Sequence, residues 1–261
     1  MSHKHRQAHP TDFASVQAGI SPPRPIRHMA HFPIRSYTST ELVSHLHAHR
    51  ERASQVILFF ANTNFVVQCQ GLQHLMACEA ITIVNDGIGL EMAARWLHGA
   101  GFSDNLNGTD FLPFFFRHTP QPLKVFMLGG QPHVLSKAAD YVTQQLGQQV
   151  VGSCDGYDGI RNSPDLIDTI NRSQADVVLV ALGNPVQEKW ILEHRQNLHA
   201  CMLAGVGALF DFWAGNKPRA PRLIQRLRLE WCYRLCLEPR RLMRRYTIDI
   251  VTFIQYCHRN R

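Results

Sequence analysis

The chain of 261 residues has no long apolar segment, no closely paired cysteines and no recognisable secretion signal. Its longest apolar runs, 177–182 and 200–210, fall short of the roughly 20 residues that a transmembrane helix needs. No helical membrane span is therefore expected. Seven cysteines without a CxxC pair argue against a disulfide framework or a zinc knuckle, and we expect small buried thiols. The His-rich N-terminus lacks a following apolar segment, which predicts a cytoplasmic protein.

Two ligand-binding signatures are missing or incomplete. No Asp-x-Asp pair occurs, and such a pair commonly chelates the metal ion of a UDP-sugar, so we expect metal-independent chemistry and no cofactor. Gly87 and Gly89 resemble the start of a dinucleotide fingerprint, but Met92 occupies the position of the third glycine, which excludes NAD. Asp155 and Asp158 have the chemistry to bind a cation, although a turn explains them adequately.

Three histidines, His45, His47 and His49, are spaced by two residues. This spacing fits neither a helical i, i+4 triad nor a known zinc signature. We therefore expect surface histidines and no metal site.

Apolar runs alternate with helical patterns along most of the chain. Buried strands are predicted at 56–60, 81–84, 124–128, 176–181 and 201–204, with a further strand near residue 150. Helices are predicted at 64–78, 87–99, 131–146, 164–172 and 186–197. In the second of these, Ile88, Met92, Ala93 and Trp96 share an apolar face. The alternation predicts an α/β fold with a Rossmann-like, mostly parallel sheet covered on both faces.

The sequence divides into four segments. Residues 1–30 are rich in proline and predict a flexible tail, 31–122 and 123–216 predict two α/β subdomains, and 217–261 predict a basic helical C-terminal appendage. The appendage holds 12 of the 27 Lys and Arg but three acids, with an apolar stripe on both sides of Pro239. Two basic amphipathic helices are expected. The net charge of +7 favours nucleic acid, anionic lipid or a phosphate-rich substrate as partner.

Polar and glycine residues follow the predicted strands, where open α/β sheets bind their ligands. Asp86 comes after the strand at 81–84 and suits either a general base or the N-cap of the next helix. Gly129 and Gly130 favour either a turn whose amides face a phosphate or a plain turn. Gln187 suits hydrogen bonds to a sugar or a base, or a solvated position in a first helical turn.

The appendage carries Arg234, Arg241 and Arg244 at spacings of seven and three residues. On a helix these side chains share a face, apart from the disturbance at Pro239, and guanidinium groups bind diphosphates in fork geometry. The alternative is a solvated basic face, or one that rests on anionic lipid.

Eight sequence blocks between Ser54 and Tyr246 resemble the WecG/TagA/CpsF family of glycosyltransferases in order and spacing. These blocks are Asn62-Thr63-Asn64, Asn85-Asp86-Gly87-Ile88-Gly89, Gly108-Thr109-Asp110, Leu128-Gly129-Gly130, Gly183-Asn184-Pro185-x-Gln187-Glu188-Lys189-Trp190, Gly205-Val206-Gly207-Ala208-x-Phe210-Asp211, Arg219-Ala220-Pro221 and Glu230-Trp231-x-Tyr233-Arg234. Within the family, the overall likeness is to the xanthan-type glucosyltransferases.

The resemblance implies inverting, metal-independent transfer from a UDP-sugar to an undecaprenyl-diphosphate-linked sugar. It implies that Asp86 is the base, that Asn64 binds the acceptor, and that Gln187 and Asp211 line the nucleotide-sugar pocket. It also implies that the three appendage arginines named above reach the diphosphate. Asn62 stands where many members carry Thr, so its contribution to the site is an open question.

The expected reaction is glucose transfer to glucosyl-diphospho-undecaprenol in xanthan-type exopolysaccharide synthesis. The alternative is transfer of N-acetylmannosamine, or its uronate, onto the corresponding GlcNAc lipid, and a minor one is a non-catalytic membrane scaffold. The resemblance places the protein on the inner face of the cytoplasmic membrane. Anionic lipid is then the expected partner of the basic segment, a homo-oligomer is possible, and nucleic acid is not expected.

Overall fold

The computed structural model describes residues 25–226 and 229–259. The strands are β1 (Ile26–Met29), β2 (Phe32–Arg35), β3 (Val56–Ala61), β4 (Ile81–Asn85), β5 (Lys124–Gly129), β6 (Gln149–Cys154), β7 (Val177–Ala181) and β8 (Met202–Gly205). The helices are α1 (Ser39–Glu51), α2 (Thr63–Gln68), α3 (Gln73–Met76), α4 (Ile88–His98), α5 (Gly108–Arg117), α6 (Pro132–Gln144), α7 (Asp158–Arg161), α8 (Leu166–Arg172), α9 (Val186–His194), α10 (Leu209–Trp213), α11 (Arg222–Arg226), α12 (Glu230–Leu237), α13 (Pro239–Tyr246) and α14 (Ile248–Arg259).

The eight strands form one sheet in the order β1-β2-β4-β3-β8-β7-β5-β6. All neighbouring pairs are parallel except the antiparallel hairpin of β1 and β2. The predicted α/β fold with a mostly parallel sheet is therefore confirmed. Strand β8 lies between β3 and β7, so segments 31–122 and 123–216 share a single sheet. That the first segment contacts the acceptor and the second the nucleotide-sugar stays a prediction.

The sheet is buried because its central strands are apolar on both faces. Every residue of β3, β4, β7 and β8 is buried. Ile57 and Phe59 of β3 pack into one apolar core, whereas Leu58 and Phe60 pack into a second core on the opposite face. Such continuous apolar runs are typical of parallel strands covered by helices on both sides.

Several predicted boundaries differ from the structure. Residues 1–24 of the predicted tail lie outside the described residues, while β1 lies within the tail's last residues. The predicted helix at 64–78 is two helices, α2 and α3, because the chain turns through Gly71 with a φ of 90°. Helices α1 and α5 were absent from the prediction, although Thr38 and Glu41 form a capping box at the start of α1.

The apolar face predicted for α4 is only partly right. Met92 and Trp96 are 65% and 49% exposed, and α4 instead buries Leu90, Ala93 and Ala94. The Trp96 ring stacks on His258 of α14 with centroids 6.5 Å apart. The sheet side of this helix thus receives the smaller apolar residues, and the large ones meet the appendage or solvent.

The appendage forms four helices, α11 to α14, where two were predicted. Pro239 begins α13 because proline fits the first helical turn, and Glu238 carries the non-helical backbone that separates α12 from α13. Helix α14 returns to the core and packs against α2 and α4. Within residues 25–226 and 229–259, no helix combines the length and apolar character needed to cross a membrane.

The cysteines only partly follow their prediction. Cys69 and Cys257 are buried, Cys236 is exposed, and the other four are half-buried. All seven are free thiols.

The histidines of α1 are half-buried rather than exposed, which corrects the surface assignment. The His45 Nε2 atom lies 3.0 Å from the Thr82 hydroxyl on β4, and the His45 ring packs against Tyr37 and His49. Burial, followed by the charge of His49 and of nearby arginines, lowers the pKa of His45 from 6.5 to about 4. The fold therefore favours the neutral ring.

This burial predicts a loss of stability in mild acid. His45 takes up a proton in the unfolded chain below pH 6.5 but stays neutral in the fold until about pH 4. Its contribution is complete above pH 6.5 and is lost as the pH falls toward 4. Because the ring is partly screened by solvent, we expect about 1 kcal/mol of loss between pH 7 and pH 5 in urea unfolding.

His45→Gln should flatten part of this pH dependence, whereas His118→Gln at an exposed position should leave it unchanged. An unaltered slope in the His45 variant would assign the acid sensitivity to other groups.

Candidate active site

The carboxyl ends of neighbouring strands bring the predicted site residues to one edge of the sheet. The loops after β3 and β4 touch directly, since the Asp86 backbone N–H donates to the Ala61 carbonyl at 2.7 Å. Asn62 and Asn64 follow β3, Asp86 follows β4, and Gln187 lies in the first turn of α9 after β7. The predicted clustering of acceptor and donor residues at this edge therefore agrees with the topology.

Asp86 does not cap α4, so the N-cap interpretation is wrong. Gly87 is the N-cap residue, its φ of 92° suits glycine, and no side chain caps this helix. The Asp86 carboxylate turns toward β3 instead, where its Oδ2 atom accepts a hydrogen bond of 3.2 Å from the Asn62 amide. The carboxylate thus points into the space between the strand ends.

The environment of Asp86 combines burial with positive charge. Burial raises the pKa of the Asp86 carboxyl, while the Asn62 hydrogen bond and the charges of Arg234 and Arg245 oppose that rise. A raised pKa makes a carboxylate a better proton acceptor. The positive charge of nearby arginines stabilises an anionic leaving group as it departs. These features suit a general base beside an anionic leaving group.

Asn62 connects three parts of the site. Its Oδ1 atom accepts from the Phe65 backbone N–H at 3.1 Å, which caps α2, and from Arg245 Nη2 at 3.1 Å. Its Nδ2 atom donates to Asp86. An asparagine amide offers separate donor and acceptor atoms, so one side chain both caps the helix and orients the carboxylate.

The appendage arginines reach the site in a different pattern from the predicted one. Arg234 donates to Glu230 Oε1 at 2.9 Å, and its guanidinium lies 4.8 Å from the centre of the Phe212 ring. Arg244 is exposed, and the side chain of Arg241 lies outside the described residues. Among the arginines of α13 whose side chains are described, Arg245 contacts the core through Asn62, and the sequence prediction missed it.

The helix break explains this miss. A spacing of seven residues places two side chains on one face only within a continuous helix, and α12 ends before Arg241. In α13 the residue that anchors the helix is Leu242, which is 3% exposed. Arg245 follows Leu242 by three residues and therefore lies on the same face of α13, toward the core. The apolar Leu242 was the sequence feature from which this arginine could have been predicted.

A second set of ion pairs fixes the start of the appendage. Arg219 grips the Asp110 carboxylate with both terminal nitrogens, and its Nε atom lies 3.7 Å from Glu230 Oε1. Burial opposes ionisation of Asp110, but the Arg219 and Asn107 hydrogen bonds outweigh it and lower the pKa of this carboxyl. Asp110 and Glu230 lie in the sequence motifs but had no predicted function. Glu230 binds Arg234 directly, and Asp110 acts through Arg219, so together they hold Arg234 near Asp86.

The glycine turn after β5 has a structural explanation. A side chain on Gly129, whose φ is 114°, would collide with the Ala181 carbonyl of β7. The Gly130 N–H donates to that carbonyl at 3.2 Å, and the Gly130 carbonyl accepts from Gly156. The turn therefore lets β5 and β7 approach closely, and no side chain caps the first turn of α6 that follows it.

Gln187 is 3% exposed, so the solvated interpretation is wrong. Its Oε1 atom accepts from the Gly207 N–H at 2.9 Å, and its Nε2 atom donates to Glu188 at 2.8 Å. Gly205 leaves room for this amide, because an added Cβ would lie 3.1 Å from it. Gln187 thereby ties the loop after β7 to the loop after β8.

The remaining predicted residues lie at the same edge. The Asn64 amide donates to the Asn184 side-chain oxygen at 3.3 Å. Asp211 on α10 is half-buried and lies 3.9 Å from the Lys217 ammonium at the start of the appendage. Asp155 accepts from the backbone of Tyr157 and Gly159, as expected for a turn.

Comparison with known proteins agrees with this architecture. Residues 27–261 match the model of the glycosyl transferase WecG/TagA/CpsF family. The chain is also similar to an N-acetylglucosaminyldiphosphoundecaprenol N-acetyl-β-D-mannosaminyltransferase of Bacillus spizizenii, with 34% identity over 168 residues. That alignment covers 64% of each protein, slightly less than two thirds of the relative's length. From the extent of the family match, the chain belongs to the WecG/TagA/CpsF family of glycosyltransferases.

Proposed function

We propose that the protein transfers N-acetylmannosamine from UDP to N-acetylglucosaminyl-diphospho-undecaprenol with inversion at the anomeric carbon. The observation that carries the proposal is the Asp86 carboxylate, oriented by Asn62 at the strand end with Arg234 and Arg245 nearby. The Bacillus spizizenii relative supports the sugars, because its name specifies this transfer and this acceptor. The expected glucose transfer of xanthan-type synthesis has no such support, so its alternative takes its place.

In the proposed reaction Asp86 accepts the proton of the acceptor hydroxyl. The hydroxyl oxygen then forms its bond to the anomeric carbon while the bond from that carbon to the diphosphate breaks, and UDP leaves with the electron pair. A base of this kind accelerates transfer by roughly 100- to 10,000-fold. Asn64 lies in the first turn of α2, two residues after the Asn62 that binds Asp86, and is the proposed contact of the acceptor sugar.

The leaving diphosphate needs positive charge as it departs. Arg234 and Arg245 supply it at the positions described, and the predicted Arg241 and Arg244 belong to the same segment. Preorganised charge of this kind is usually the largest single contribution to catalysis. Gly129, Gly130, Gln187 and Asp211 are the proposed donor side, where the first turn of α6 faces the phosphates.

The appendage is also the proposed membrane contact at the inner face of the cytoplasmic membrane. Its helices expose large apolar side chains beside their many arginines, and a lipid-linked acceptor requires the protein to meet the bilayer surface. Each Lys or Arg near an anionic surface contributes roughly 1 kcal/mol. Among the described residues of the appendage, the exposed large apolar ones are Leu223, Leu229, Trp231, Leu237, Met243, Ile248, Val251 and Ile254. A homo-oligomer and the lack of nucleic-acid binding stay predictions.

A substrate panel tests this proposal. Purified protein is incubated with UDP-N-acetylmannosamine or UDP-glucose and short-chain lipid diphosphates carrying GlcNAc or glucose, and the product mass is measured. We expect N-acetylmannosamine on the GlcNAc lipid, with activity unchanged by EDTA because the sequence offers no Asp-x-Asp chelate.

Each other outcome has a defined meaning. A glucosylated product would restore the xanthan-type assignment. Loss of activity with EDTA that manganese restores would overturn metal independence, and no product or UDP release with any pair would favour a non-catalytic scaffold.

A further inference from the structure

A buried carboxyl group lies directly behind the proposed site. Glu188 in α9 is 0% exposed, and burial raises the pKa of its carboxyl. One oxygen, Oε1, accepts from Asn184 Nδ2 at 2.6 Å and from Gln187 Nε2 at 2.8 Å. The Cys69 thiol faces the same carboxyl from α2. Burying a carboxyl costs free energy, so packing alone does not explain this residue.

The two amides held by Glu188 extend to both sides of the site. The other end of Asn184, its Oδ1 atom, accepts from Asn64 at the start of α2, which follows β3. The other end of Gln187, its Oε1 atom, accepts from Gly207 on the loop after β8. A continuous chain of hydrogen bonds therefore crosses three adjacent strands, β3, β8 and β7.

The chemistry of these groups fixes the direction of every hydrogen bond. An amide side chain has one donating and one accepting end and can turn either way. The Gly207 N–H only donates and so holds the Gln187 oxygen outward, and the Glu188 group in its carboxylate form only accepts. Both amides must therefore present their N–H₂ groups to Glu188 and their oxygens outward. The oxygen of Asn184 then requires Asn64 to donate, which leaves the Asn64 carbonyl oxygen to accept from a sugar hydroxyl.

We propose that Glu188 is a positioning residue that fixes the orientation of the Asn64 amide and thereby prepares an acceptor for a hydroxyl of the incoming sugar. This inference rests on the proposed glycosyl transfer, in which Asn64 contacts the acceptor. Glu188 touches no reacting atom. Gln187 on the donor side is also held by the Gly207 N–H, so the effect of Glu188 is expected in the KM of the acceptor more than in the KM of UDP-sugar.

Substitutions at residue 188 separate orientation from charge. Glu188→Gln keeps an accepting oxygen and is expected to stay within about threefold of wild-type kcat/KM. Glu188→Met keeps the length but removes the acceptor, and we expect the acceptor KM to rise about tenfold or more because two buried amides lose their partner. Glu193→Gln, an exposed change on the same helix, is the control. Equal losses in the Gln and Met variants would overturn the proposal, as would a Met variant with wild-type acceptor KM.

A double-mutant cycle tests the same idea without an activity assay. Asn64→Asp places an acceptor against the fixed Asn184 oxygen, so it should lower the urea midpoint in the wild-type background. With Glu188→Met, Asn184 is free to turn and donate to Asp, so the same change should lower the midpoint less. Equal decreases of the urea midpoint in both backgrounds would overturn the orientation mechanism. This conclusion does not depend on which sugars the protein uses.

The double-mutant cycle measures stability alone, so its result holds even if the proposed reaction is wrong. If wild-type protein uses a different donor and acceptor, the variants are assayed with that pair. The positioning role and the choice of sugars are then judged separately.

Discussion

Replacing Asp86 with Asn is expected to lower turnover by at least about 100-fold while UDP binding and folding are retained. The amide keeps the shape of the carboxylate, and its oxygen can still accept from Asn62, but it cannot take a proton from the acceptor hydroxyl. Single-turnover kinetics with saturating donor, together with calorimetric titration of UDP, separate chemistry from binding. Asp168→Asn, an exposed change on α8, is the matched control.

The pH profile adds an independent check. Burial raises the pKa of Asp86, so the wild-type rate should fall on the acidic side at a pH above the ordinary range of an aspartate. The variant should lose this acidic limb together with its rate. Near wild-type turnover in Asp86→Asn would place the base elsewhere.

Arg234→Ala and Arg245→Ala are each expected to lower kcat/KM about 100-fold with a water-soluble acceptor analogue. Both arginines lie near the Asp86 carboxylate, and Arg245 also donates to Asn62. In the proposed reaction these two positive charges stabilise the departing diphosphate, so loss of either arginine should slow the transfer. Liposome binding should change little, since the other basic residues of the appendage remain. Co-sedimentation with anionic vesicles measures this second property.

The control for this pair is Arg259→Ala, at the far end of α14. Arg241→Ala and Arg244→Ala, assayed in parallel, report how far the predicted arginines share the function of Arg245. Full activity of both Arg234→Ala and Arg245→Ala on the soluble analogue would reduce the appendage to a membrane anchor.

The sequence predicted the strands β3 to β8, because parallel strands of this kind leave a simple local signal, but it did not predict the hairpin of β1 and β2. Runs such as 56–60 and 176–181 are apolar on both faces, and Asp86 and Gln187 follow their strands at the expected edge. The sheet order allowed no such local prediction. The position of β8 between β3 and β7 depends on contacts between distant segments.

The failures share a physical cause, which is that distant segments decide what each surface meets. Trp96 is apolar, yet it lies away from the sheet and stacks on His258 of α14, which the chain brings to that side of α4. Arg245 was missed because a backbone break at Glu238 resets the helical phase after α12. His45 lies in a polar stretch of sequence, yet its ring is half-buried because it forms a hydrogen bond with the Thr82 hydroxyl of β4.

The central position of β8 has a consequence for synthesis of the chain on the ribosome. Strand β3 emerges early but pairs on one side with a strand that is made late, as Val56 opposite Met202 illustrates. Until β8 has left the exit tunnel, β3 presents an unpaired apolar edge, which is a template for aggregation. Pairing between strands so far apart in the sequence forms slowly, so this edge of the nascent N-terminal half stays exposed until the sheet is complete.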